Sequence, residues 1–253
     1  LGMFGAAMVF VLLTFGGWND VAYVSAEVRG GQRAILKSLI LSVAIITAVY
    51  LIFIVAALHG LGFSGLKSSQ ALGADLMQSA FGNFGAQAIG IIVAISALTS
   101  MNGTMIIGAR TNYALGGDWA VFRFMNAWHG ERNTPYVGFV VQTVMALALI
   151  AFGALEKDGF AVMVEFTAPV FWFFFMMSGI ALFVLRSKEA DIARPFRVPL
   201  YPVLPGVFVA TCAYLLYSSI TYAQSQKAGY VALGVMLAGA VVWLFARTKS
   251  QTR

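Results

Sequence analysis

Apolar residues run through this chain in long blocks that are hydrophobic on nearly every side, as in "LILSVAIITAVYLIFIVAAL" at 39–58. A helix rising about 1.5 Å per residue needs roughly 20 such residues to cross a hydrocarbon layer about 30 Å thick. By that measure the pattern predicts seven spans, at about 2–27, 34–60, 86–109, 135–155, 160–185, 201–223 and 228–246. A transmembrane barrel would instead show segments of about ten residues alternating apolar and polar. The expected fold class is an all-α polytopic membrane protein, a single transmembrane domain over 1–253.

Between the spans the pattern changes. The stretch 61–85 opens with turn-forming Gly and Ser and then places apolar residues at 72, 76, 77 and 80, which predicts a short interfacial helix on the outer surface. "GGDWAVFRFMNAWHGERNTP" at 116–135 has aromatics at 119, 122, 124 and 128 with basic residues among them. Trp and Arg both favour the headgroup layer, so this segment is expected there. "RPFRVPLYPVLPG" at 194–206 holds four prolines, which exclude a continuous helix and predict a stiff, extended linker.

A content of 60% hydrophobic and 10% charged residues agrees with a bilayer environment. The net charge of +6 would suit a nucleic-acid partner, but the basic residues sort by loop. Thirteen lie in loops on one side: Arg29, Arg33 and Lys37; Arg110, Arg123 and Arg132; Arg186, Lys188, Arg194 and Arg197; Arg247, Lys249 and Arg253. The alternate loops hold only Lys67, Lys157 and Lys227. The positive-inside rule puts the thirteen in the cytoplasm, so residue 1 is expected outside and residue 253 inside a cell membrane. Topology accounts for the charge, and no nucleic acid is expected.

The single cysteine, Cys212, excludes an intramolecular disulfide and a cysteine cluster and reads as a small apolar filler. His59 and His129 lie at a span end and in a loop without ligand neighbours, so no metal and no cofactor are expected. An intramembrane enzyme would need paired acids, a Ser–His arrangement or a metal cluster inside the spans, and the sequence offers none. Seven helices with an outside N-terminus also match a receptor, or another membrane protein that transports nothing. A retinal pigment requires a lysine within a span, and here lysines lie in loops or at span ends. The chain begins without an initiator Met or a basic leader and runs straight into a span, so it is expected to be the C-terminal part of a longer protein.

One stretch resists the reading of a plain span. "FGGWND" at 15–20 puts two glycines, each costing about 1 kcal/mol in a helix interior, before an Asn and an Asp that compete for backbone hydrogen bonds. A broken helix survives in lipid only where protein or a watery cavity surrounds it. Such a break offers carbonyls on one side and N–H groups on the other, and the half-helix dipoles add charge of matching sign. Carbonyls suit an ammonium and N–H groups a carboxylate, so a zwitterion such as an amino acid can be held largely by backbone. The plain alternative is that Gly16 and Gly17 let another helix approach closely.

"FGGWND" followed by "SAEVRGGQRAILKSLILS" (25–42) resembles the amino acid, polyamine and organocation transporter superfamily, most of all its L-type amino-acid transporter-like branch. "SMNGTMIIGARTNYAL" (100–115) resembles the family's eighth span, "NTPYVGFVVQ" (133–142) the start of the ninth, and "RPFRVPLYPVLP" (194–205) the linker before the eleventh. The stretch "RGGQRAI" departs from the common pattern of Asn or Pro among the basic residues there.

The resemblance implies the sixth through twelfth spans of a twelve-helix permease that transports or exchanges amino acids. Residues 1–185 would be the second five-helix repeat of a leucine-transporter-like inverted-repeat fold, and 186–253 a cytoplasmic linker and two extra C-terminal helices. The missing N-terminal half would supply the rest of the site. Carried over by position, the substrate site falls on Leu13, Thr14, Phe15, Gly16, Gly17, Trp18 and Asn19, with Trp18 as a gate and Asn102 and Trp172 facing the same cavity. For Asn102 and Trp172 a packing role is equally open. Asp20, the acid nearest the break, and Glu27, at the cytoplasmic end of the first span, are candidates for coupling or gating.

Overall fold

The computed structural model describes residues 2–17, 19–20, 31–131, 133–155, 159–192, 194, 198–221 and 226–250. Among these the chain forms α1 (Gly2–Thr14), α2 (Gly31–Ser68), α3 (Leu72–Asp118), a 3-10 helix (Ala120–Met125), α4 (Tyr136–Gly153), α5 (Gly159–Lys188), α6 (Val203–Thr221) and α7 (Gln226–Ser250). No strand occurs among the described residues beyond an isolated bridge between His129 and Thr134.

Five of these helices, α2 to α6, are long and apolar enough to cross a membrane. Of the two remaining expected spans, the first holds α1, which ends at Thr14, and the last holds the shorter apolar stretch Ala232–Leu244 within α7. Several hydroxyls inside the apolar helices bond to their own helix. Thr47 donates to the carbonyl of Val43 at 2.7 Å, Thr143 to Phe139 at 2.8 Å and Ser219 to Leu215 at 2.7 Å. These back-bonds to the preceding turn remove the need for water, which a lipid environment demands.

The chain divides into two compact units, Leu1–Gly16 with Asn112–Arg253, and Gly17–Thr111. In the first, α6 packs against α5 and α1, and α5 also contacts α4 and α7. Its core is built by Val9 of α1, Val164, Ala168 and Trp172 of α5, and Cys212 and Leu215 of α6. Cys212 is the small buried filler that its position suggested. Glycines set the closest approaches. A Cβ on Gly179 would lie 2.6 Å from Val209 Cγ2, and one on Gly5 would lie 2.7 Å from Ser218 Cβ and 2.9 Å from the Tyr214 hydroxyl.

The end of α5 is closed by a basic side chain. Arg194 donates to the carbonyls of Leu185 at 3.2 Å and Glu189 at 2.6 Å, while Arg186 lies 4.1 Å from the centre of the Tyr201 ring. A cation on the last carbonyls of a helix is favoured by the dipole. Past this cap, residues 199–202 form a turn and α6 begins at Val203. Pro205 is buried in the first turn of α6, where a missing N–H costs nothing.

In the second unit, α2 bends at Gly62 (φ 67°) and α3 at Gly82 (φ 64°), both in a region that favours glycine. The helical stretch between Leu72 and this second bend corresponds to the short helix expected within 61–85. Its Leu76 reaches Gly60, where an added Cβ would stand 2.8 Å from Leu76 Cδ1. The Ser69 hydroxyl donates to Asp75 Oδ2 at 2.6 Å and ties the turn to the first coil of α3.

Candidate functional site

The helix ends where the sequence turns to glycine. The last turn of α1 tightens, with Phe15 N–H donating to Leu12 O at 3.2 Å and Gly16 N–H to Leu13 O at 2.9 Å, and the Thr14 hydroxyl donates to Val11 O at 2.6 Å. A switch from four-residue to three-residue bonds is a common way to close a helix end. Gly17 then takes φ +97°, a conformation that L side chains rarely adopt. A glycine with positive φ just past the last turn turns the chain off the helix axis, as in other glycine-terminated helices.

A new turn starts at once on the far side. Asp20 N–H donates to Gly17 O at 3.0 Å, and Asn19 Nδ2 donates to Asp20 Oδ1 at 3.0 Å. The carboxylate of Asp20 stands over Gly17, its Oδ2 3.8 Å from the point a Cβ would occupy. Leu13, Thr14, Gly16 and Gly17 are exposed, while Phe15, Asn19 and Asp20 are half-buried. The helix break expected from "FGGWND" is thus present, made by two glycines and carrying a polar pair beyond them.

Trp172 lies in the packed core of the first unit, 9% exposed, with its ring 5.3 Å from Phe171 and 6.2 Å from Phe175. Met8 and Leu12 of α1 pack against the same cluster, so the core that holds Trp172 also holds the arm that leads into the break. Asn102 is exposed on α3, in the second unit. Trp18 and Glu27 lie outside the described residues, as does Ser25. What sequence reasoning did not single out is the α1–α6 contact at Gly5, Tyr214 and Ser218; the signal available was a lone small residue in an apolar helix.

Comparison with known proteins gives the break its context. A family model described as "Amino acid permease" matches residues 2–245. The human cystine/glutamate transporter is 26% identical over 214 residues, 85% of this chain and 41% of its own length. The serine/threonine exchanger SteT of Bacillus subtilis is 24% identical over 86% of this chain and 49% of its own length. The rat b(0,+)-type amino acid transporter 1 is 22% identical over 98% of this chain and 50% of its own length. The chain spans about half the length of the curated relatives it matches. With the match running from α1 through most of α7, the chain belongs to the amino acid permease family, in the L-type-like branch of the amino acid, polyamine and organocation superfamily.

Proposed function

We propose that this chain is the C-terminal part of a permease that transports or exchanges amino acids across the cell membrane by alternating access. The observation that carries the reading is the break after Thr14, where Gly16 and Gly17 end a helix inside the matched region. Carbonyls at 13–16 would hold the substrate ammonium at the end of α1, where the dipole is negative. Trp18 would gate the pocket, and Asn19, Asn102 and Trp172 would line it or brace its walls. The carboxylate would be met mainly by the N-terminal half of the permease, beyond this chain. Relatives named for cystine and glutamate, for serine and threonine exchange and for large neutral amino acids support this substrate class.

In this reading the chain crosses the bilayer seven times, with residue 1 outside and residue 253 in the cytoplasm. Residues 1–185 form the second five-helix repeat of a leucine-transporter-like fold, and 186–253 the linker and two further helices. Uptake of radiolabelled amino acids into proteoliposomes of the full-length permease tests the function. Saturable, competable uptake is expected, and its absence across a broad panel ends the reading. Asp20→Asn keeps a partner for Asn19 and removes the charge. Lost pH dependence of uptake assigns proton coupling to Asp20, and unchanged pH dependence with unchanged uptake removes it from that role.

A further inference from the structure

The segment between α3 and α4 is folded, and its folding leaves apolar side chains facing outward. In a 3-10 helix side chains three apart share an edge, so Ala120–Met125 has three edges. Phe122 and Met125 form the inner one, with Met125 only 4% exposed and the Phe122 carbonyl close over Gly116. Val121 and Phe124 form the second, and Phe124 is 59% exposed. Ala120 and Arg123 form the third, also exposed.

Several bonds hold this arrangement. Asn126 Nδ2 donates to Tyr113 O at 3.3 Å, and Trp119 N–H donates to Leu115 O at 3.0 Å. Trp128 stacks edge-on against Tyr113 at 5.2 Å and donates its indole N–H to Asn133 Oδ1 at 3.0 Å. The indole is thereby satisfied without water, although the ring is 44% exposed.

The depth of the segment follows from α4. Its 18 residues make a helix about 27 Å long, barely enough for a hydrocarbon layer of about 30 Å. With no slack, its first turn marks the hydrocarbon edge. Asn112 Nδ2 donates to Gly138 O at 3.4 Å, which sets Asn112 of α3 at that level. The 3-10 helix and Trp128 pack on residues 113–117, one turn further out, where phospholipid headgroups lie.

We infer that this segment is a fixed interfacial anchor, with Val121 and Phe124 reaching past the phospholipid headgroups to the acyl boundary and Arg123 on a lipid phosphate. Guanidinium pairs readily with phosphate oxygens, and the neighbouring edge supplies the apolar contact that a soluble loop would not expose. The inference rests on the membrane-spanning helices and is independent of any substrate.

Nitroxide labels at V121C, F124C and A120C, in the full-length permease freed of other cysteines and reconstituted in phospholipid vesicles, test it. At 121 and 124 oxygen is expected to relax the label more than a water-soluble nickel chelate, with the reverse at 120. Nickel dominating at both 121 and 124 places the edge in water and overturns the inference. Poor access of both relaxants places it under protein and overturns it equally. R123Q is expected to lower the oxygen-to-nickel ratio at 124, and an unchanged ratio overturns the phosphate contact. The label at 121 reports on the same edge should F124C fail to fold.

Discussion

Gly5→Ala tests the contact between α1 and α6 by adding a single methyl group. The added methyl would stand 2.7 Å from Ser218 Cβ and 2.9 Å from the Tyr214 hydroxyl, with Ser218 Oγ nearer still. Carbon atoms settle at about 3.5–4.0 Å, so α1 and α6 must part by roughly 1 Å or distort at this point. Ser218 is 1% exposed and cannot swing into solvent. Overpacking of this kind costs about 1–3 kcal/mol. Alanine's better helix propensity returns about 1 kcal/mol at most, leaving a net loss wherever the clash costs more than that.

Thermal unfolding of the full-length permease in detergent measures the loss. Gly5→Ala is expected to unfold several degrees below the parent, and Ser218→Gly to recover most of the difference in the double variant, because it removes the two nearest of the three colliding atoms and leaves only the Tyr214 hydroxyl. The non-additivity of that cycle isolates the contact from any separate effect of either change. Ser218 Oγ is buried with no hydrogen-bond partner among the described residues, so Ser218→Ala alone is expected to be neutral or stabilising. An unchanged unfolding temperature for Gly5→Ala, or no recovery with Ser218→Gly, would refute the helix contact. The functional consequence is expected to follow the packing: displaced α1 carries residues 13–16 with it, and the KM for uptake rises.

Gly17→Ala adds a Cβ that meets only Asp20 Oδ2 at 3.8 Å, so its cost is backbone strain at φ +97°, about 1–2 kcal/mol; uptake kinetics are expected to show a weaker break, and unchanged kinetics would reduce the glycine to a spacer. Trp172→Ala removes a large buried ring and is expected to destabilise by about 3–5 kcal/mol, with Trp172→Phe retaining much of the fold; equal stability in both variants would take Trp172 out of the core. Arg194→Gln removes the cation from the end of α5, and faster amide exchange confined to 185–189 is expected, for a loss of about 1 kcal/mol.

The break and the positions of the five long apolar helices, α2 to α6, were legible because each is a local property. Two glycines before Asn19 and Asp20 weaken a helix through their own propensities, and the chain leaves α1 at that point. The bends at Gly62 and Gly82 fall where apolar runs give way to loop residues, for the same reason. The packing was not legible, and the cause is physical. In water an apolar stripe marks the face that packs, whereas in lipid Ile52 can remain exposed while Ala57 of the same helix is fully buried. Hydrophobicity then says nothing about partners, and the information moves to small residues and to single polar atoms.

Gly5, Gly179 and Ser218 carry that information here, yet in the sequence they look like any glycine or serine in a span. Trp172 shows what this does to a site assignment. Its position in the family pattern suggests a cavity wall, while its burial beside Phe171 and Phe175, in a core that Met8, Val9 and Leu12 of α1 also join, makes it part of the packing behind the break. The two roles need not conflict, because a break that presents backbone carbonyls works only if the helix behind it is held still. Rigidity behind the glycines is therefore as much a part of the proposed site as the glycines themselves.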